Sequence, residues 1–113
     1  MTTQTTKTNS VVSLGDDDDI EAAVEIDGVA LAEFYTEWCG SCQRMAPILE
    51  TIATDTDATV LTIDVESHLE TAIEFGAQST PTFVLFADGK PVKQLRGAQD
   101  EATLRELIER YSD

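Results

Sequence analysis

Apolar residues recur along this chain in two rhythms, and the order in which they alternate predicts an architecture. VALAEFY (29–35) is an almost unbroken apolar run, the pattern of a strand buried on both faces. TVLTIDV (59–65) predicts a second such strand, and VVSL (11–14), ending at Gly15, predicts a short edge strand. Between them the spacing changes. Ile20, Ala23 and Val24 follow four aspartates, Asp16–Asp19, which suit the positive end of a helix dipole. Met45, Ile48, Leu49 and Ile52 repeat at i, i+3, i+4, i+7 and predict a helix over 40–53, kinked by Pro47. SHLETAIEFG predicts a helix capped by Ser67, with Leu69, Ala72 and Ile73 inward and Gly76 as its stop. TFVLFA (82–87) and PVKQLR (91–96) are strands around Asp88-Gly89, a tight hairpin signal. Asp100 then caps a helix with Leu104, Leu107, Ile108 and Tyr111 on one stripe. The order β-α-β-α-β-α-β-β-α specifies an α/β fold with a mixed central sheet flanked by helices. It forms one domain over 11–113, after a polar tail at 1–10 expected to be disordered.

Composition narrows the function. At 113 residues and 42% hydrophobic, the chain can bury one core. Its 22 acidic against 7 basic residues give a net charge of −15, which repels phosphate backbones and disfavours nucleic-acid binding. With only three lysines (Lys7, Lys90, Lys93), the surface suits high salt, where self-repulsion is screened. The polar start MTTQTTKTNS has no apolar core of a secretory leader, and no stretch reaches the roughly 20 apolar residues of a membrane span. A cytoplasmic, membrane-free location is therefore expected.

In that compartment a lone disulfide does not persist as a staple, so the two cysteines of WCGSC are expected to be catalytic or metal-binding. Cys39 and Cys42 fall where a buried strand turns into a helix. Unpaired N–H groups and the dipole at a helix start favour thiolate, the nucleophilic form. Three residues along a helix bring both sulfurs to one face, close enough to bond, so that one can attack a disulfide and the other resolve it. A closed zinc site needs four ligands, and with no further cysteine and His68 as the sole histidine, no metal is expected. His68 is expected on the surface.

EFYTEWCGSC, MAPILETIA, STPTFVLFADGK and LRGA, in this order and spacing, resemble the thioredoxin family over residues 11–113. The resemblance implies the thioredoxin fold and a general protein-disulfide reductase. It matches Cys39 to the exposed attacking thiol and Cys42 to the buried resolving one, with Gly40 and Ser41 between them. It matches Trp38, Thr80, the cis-proline Pro81 and Gly97 to the surface that receives a substrate's extended chain. It implies a monomer without cofactors beyond its own disulfide, with protein disulfides as substrates and a thioredoxin reductase as electron donor. An oxidase or isomerase, or a thioredoxin-like binding or chaperone module, are the alternatives.

Four positions depart from the family pattern. Glu33 stands where thioredoxins usually bury an aspartate. Desolvation there raises a carboxyl pKa and suits it to exchange a proton with Cys42 through a water. Ser41 replaces the usual proline and adds donors that stabilise thiolate, which shifts the pair toward oxidising behaviour. Gln43 replaces a common lysine, which weakens the positive field, and Thr62 falls about where a lysine often neighbours the buried acid.

Overall fold

The computed structural model describes residues 10–112; of the tail expected at 1–10, all but Ser10 lies outside the described residues. The elements are β1 (Val12–Leu14), α1 (Ile20–Val24), β2 (Val29–Tyr35), α2 (Gly40–Asp55), β3 (Thr59–Asp64), α3 (Leu69–Glu74), β4 (Thr82–Ala87), β5 (Lys90–Arg96) and α4 (Glu101–Tyr111). Their order is the one the hydrophobic pattern predicts. The sheet runs β1-β3-β2-β4-β5, with β2 parallel to β3 and antiparallel to β4.

Strand alternation divides the core in two. Ala30, Ala32 and Phe34 of β2 point toward α1 and α3, packing with Ile20, Val24, Ala72 and Phe86. Val29 and Leu31 point the other way, against Met45, Leu49 and Ile52 of α2 and Leu104 and Ile108 of α4. By the same parity Glu33 faces the α2 side. The hairpin turn takes positive φ at Asp88 (51°) and Gly89 (85°), as its sequence requires. Asp100 caps α4 by accepting a hydrogen bond from the Thr103 N–H at 2.9 Å.

Two expectations need correction. The aspartate run does not open a helix as a block: only Asp19 caps α1, accepting from the N–H groups of Glu21 and Ala22. Asp18 instead closes a turn, its carboxylate accepting from the Gly15 N–H at 2.6 Å. Short acidic side chains compete for nearby backbone donors, and this holds the chain out of helix until Ile20. On α3, the N-cap position belongs to His68 rather than Ser67, and Leu69 and Ile73 are 57% and 56% exposed. Phe75 decides this orientation. Its ring packs between Phe34 and Phe86, with centroids 6.0 and 5.7 Å away. His68 Nε2 lies 2.8 Å from the Gly15 carbonyl oxygen. With His68, Ala72 and Phe75 turned inward, positions 69 and 73 rotate toward solvent.

These orientations predict opposite costs for one substitution. Leu49→Ala, in the fully buried α2 stripe, should lose about 3 kcal/mol. Leu69→Ala should stay within about 0.5 kcal/mol of wild type. Chemical denaturation at fixed salt checks both, and a large loss at Leu69 would contradict its outward placement.

Candidate active site

The site begins where β2 ends. After Tyr35 the chain turns, closed by a hydrogen bond from the Cys39 N–H to the Thr36 carbonyl at 3.2 Å, and α2 starts at Gly40. Cys39 is the N-cap of α2, and its Sγ accepts the Cys42 N–H at 3.1 Å. This is the favourable electrostatics of a helix start applied to sulfur. Cys39 and Cys42 form a disulfide, their Cα atoms 5.2 Å apart. Cys39 is half-buried and Cys42 buried, so Cys39 is the one within a partner's reach.

Beneath Cys42 lies Glu33. It is only 3% exposed, and its Oε2 is buried without a hydrogen-bond partner among the described residues. Burial pushes its carboxyl up from 4.5 to about 7. Glu33 and Cys42 line one cavity of about 500 Å³, along with Ser13, Tyr35, Glu50 and Thr62. Thr62 sits directly across from Glu33 in the β2–β3 register, and its hydroxyl lies 3.0 Å from that of Ser13 on β1. The neighbour of the buried acid is thus a hydroxyl pair. Tyr35 is raised by burial and by the nearby carboxylates of Asp64, Glu37 and Glu33.

The other residues that the resemblance assigns to the site lie on three separate segments. Trp38 is 85% exposed. The Thr80–Pro81 peptide bond is cis, and the Pro81 carbonyl accepts the Gly97 N–H at 2.8 Å, which joins the start of β4 to the end of β5. Gly97 has φ +86°, and a Cβ there would meet nothing within 4 Å, so the backbone faces open space. The Gln99 amide donates to the carbonyls of Arg96 and Gly97 at 3.2 Å each and holds this loop in place. His68, expected on the surface, is half-buried against the Gly15 carbonyl. Among the described residues, no cluster of His, Cys, Asp and Glu could hold a metal ion, and no helix is long and apolar enough to cross a membrane.

The thioredoxin family model matches residues 11–110. A thioredoxin from Mycobacterium bovis is 50% identical over 80 residues, spanning 68% of this chain and 69% of that protein. One from Staphylococcus saprophyticus is 40% identical over 97 residues, spanning 84% and 88%. A mutant thioredoxin from Halobacterium salinarum NRC-1 superposes with a TM-score of 0.89 at 38% identity, over 97% of both chains. The chain belongs to the thioredoxin family. It has the thioredoxin fold and is a thiol–disulfide oxidoreductase, a protein-disulfide reductase with a redox-active cysteine pair, and Cys39–Cys42 fits that pair.

Within this thioredoxin framework the structure adds a group that the sequence reading missed. Arg44 lies over the first turn of α2: its guanidinium donates to Ser41 Oγ at 3.4 Å and approaches Gly40. The i+3 spacing from Ser41 was the available signal. A cation therefore stands near the cysteine loop although position 43 is glutamine.

The buried carboxyl of Glu33 has a stability signature. Its pKa is raised on folding, so between pH 4.5 and about 7 the folded state binds more protons than the unfolded one. Stability from this group is intact below pH 4.5 and lost as pH rises to about 7. Glu33→Gln should therefore be more stable than wild type above pH 7, by up to about 3 kcal/mol, and should lose that advantage at pH 4. Denaturation curves at both pH values check this; a difference that does not vary with pH would contradict it.

Proposed function

We infer that Cys39 is the attacking thiol and Cys42 the resolving thiol of a cytoplasmic, monomeric protein-disulfide reductase that uses no cofactor beyond its own disulfide. The observation that carries this reading is the cysteine pair at the start of α2, with Cys39 toward solvent and Cys42 toward buried Glu33. Thiolate at Cys39 attacks one sulfur of a substrate disulfide. A Cys39–substrate disulfide forms and the other substrate sulfur leaves as thiolate. Cys42 then loses its proton to the Glu33 carboxylate through a water in the shared cavity and attacks Cys39 Sγ. The second substrate sulfur departs as thiolate and takes up a proton. Two electrons have passed to the substrate, and the chain holds its disulfide again. A thioredoxin reductase supplies two electrons to restore the dithiol.

Trp38, Thr80, Pro81 and Gly97 form the receiving surface, with Gly40 and Ser41 in the active loop. In this reading the Thr80 backbone and the open side of Gly97 accept an extended chain by backbone pairing. The Arg44 contact to Ser41 adds a donor to the loop that must hold thiolate. Adaptation to high salt is supported by the −15 charge and by the likeness to the Halobacterium protein.

Insulin reduction with dithiothreitol as donor, followed by turbidity from low to molar potassium chloride, tests the assignment. Wild type should accelerate precipitation and do so better at high salt, Cys39→Ser should be inactive, and Cys42→Ser should stall as a mixed disulfide. A folded Cys39→Ser variant with wild-type rates would overturn it.

A further inference from the structure

Trp38, Leu69, Ile73 and Val12 are the large apolar side chains that the described residues leave exposed. Two of them, Leu69 and Ile73, lie on α3, whose two ends both adjoin the end of the sheet that carries the cysteines. α3 leaves β3 at the end where β2 runs into the cysteine loop, and it returns to β4 beside Pro81. The Val65 N–H donates to the Tyr35 carbonyl at 2.9 Å and ties the entry of α3 to the loop that carries Trp38. Past its exit, a Cβ at Gly76 would stand 3.7 Å from the Arg96 guanidinium, next to Gly97. Leu69 and Ile73, one helical turn apart, thus stand on a helix tied at both ends to the redox end.

The pair is also held rigidly. Phe75 is fixed between two rings and His68 against Gly15, so the outward face of α3 is preset at little entropic cost to a partner. Its surroundings select the partner. Glu66, Glu70 and Glu74, all exposed, alternate with the two apolar residues. An apolar contact flanked by carboxylates complements an apolar segment flanked by lysine or arginine, and it repels a second copy of this acidic chain.

We propose that Leu69 and Ile73 form an accessory docking patch for protein disulfide substrates, one that favours substrates with an apolar segment flanked by basic residues near the disulfide. The patch lies outside the Trp38–Pro81–Gly97 surface and sets specificity rather than chemistry. It rests on Cys39–Cys42 being the redox pair.

The test uses three oxidised probes against the reduced protein, with disulfide formation read from the fluorescence of Trp38, the sole tryptophan. One is a peptide with a single disulfide and a leucine arm flanked by lysines. The second carries the same arm flanked by glutamates, and the third is the small aromatic disulfide dithiobis(nitrobenzoate). The double variant Leu69→Ser, Ile73→Ser changes only exposed positions and keeps every charge. It should lower the second-order rate constant for the lysine-armed peptide roughly tenfold, the worth of about 1.4 kcal/mol of apolar contact. Rates for the other two probes should stay within about twofold of wild type. An equal loss on all three probes, or no loss on the lysine-armed peptide, would overturn the proposal. A wild-type dimer in sedimentation that the double variant dissolves would also overturn it, in favour of a second copy as occupant. If wild type fails to reduce even the small disulfide, the redox assignment itself is at fault.

Discussion

A buried carboxyl group whose Oε2 has no hydrogen-bond partner among the described residues is the constraint around which this structure is arranged. Glu33 sits on the central strand, in a sheet whose buried positions are otherwise apolar except Thr82, and no cation among the described residues pairs with it. Such a group is expensive to ionise. β2 could remain more stable with an apolar residue at this position, as Leu31 shows two residues earlier on the same face. What the carboxyl gains by its place is Cys42, across a shared cavity, in a setting where its proton is exchangeable near neutral pH. The stability it costs and the proton exchange proposed for it have one cause, desolvation.

The rest of the site divides the two sulfurs between opposite environments. The start of α2 gives Cys39 a backbone donor and the dipole, and its half-exposed position makes it accessible. Cys42, one turn further on, is inside and faces the acid. Two cysteines identical in sequence chemistry thereby stand in different settings, set by burial and by the helix start. The chain carries a net charge of −15, so Arg44, which donates to Ser41 between the cysteines, matters more here than on a balanced surface.

Much of this was legible in the sequence. The inner strands β2, β3 and β4, and α4, follow from regular apolar patterns that no competing signal disturbs. Cys39, Cys42, Pro81 and Gly97 stand in motifs whose order and spacing are specific, and the burial of Glu33 follows from its place inside an apolar run. The facing of α3 was not legible. Helical spacing says that Leu69, Ala72 and Ile73 neighbour one another, but the inward face was chosen by Phe75, an aromatic outside that stripe, through rings on two distant strands. The aspartate run misled because dipole reasoning favours every acid at a helix start, while turn geometry admitted only Asp19. The Ser13–Thr62 hydroxyl pair depends on how β1 registers against β3, which no local pattern encodes.

The ionisation of Glu33 is the most direct test of this account. Carbon-13 NMR of the side-chain carboxyls in the oxidised protein, with Glu33→Gln to assign the resonance, follows it against pH. The account predicts a midpoint near 7, with the change confined to a signal that the variant lacks. A midpoint near 4.5, the value of an ordinary glutamate, would show the carboxyl solvated and contradict the role proposed for it toward Cys42.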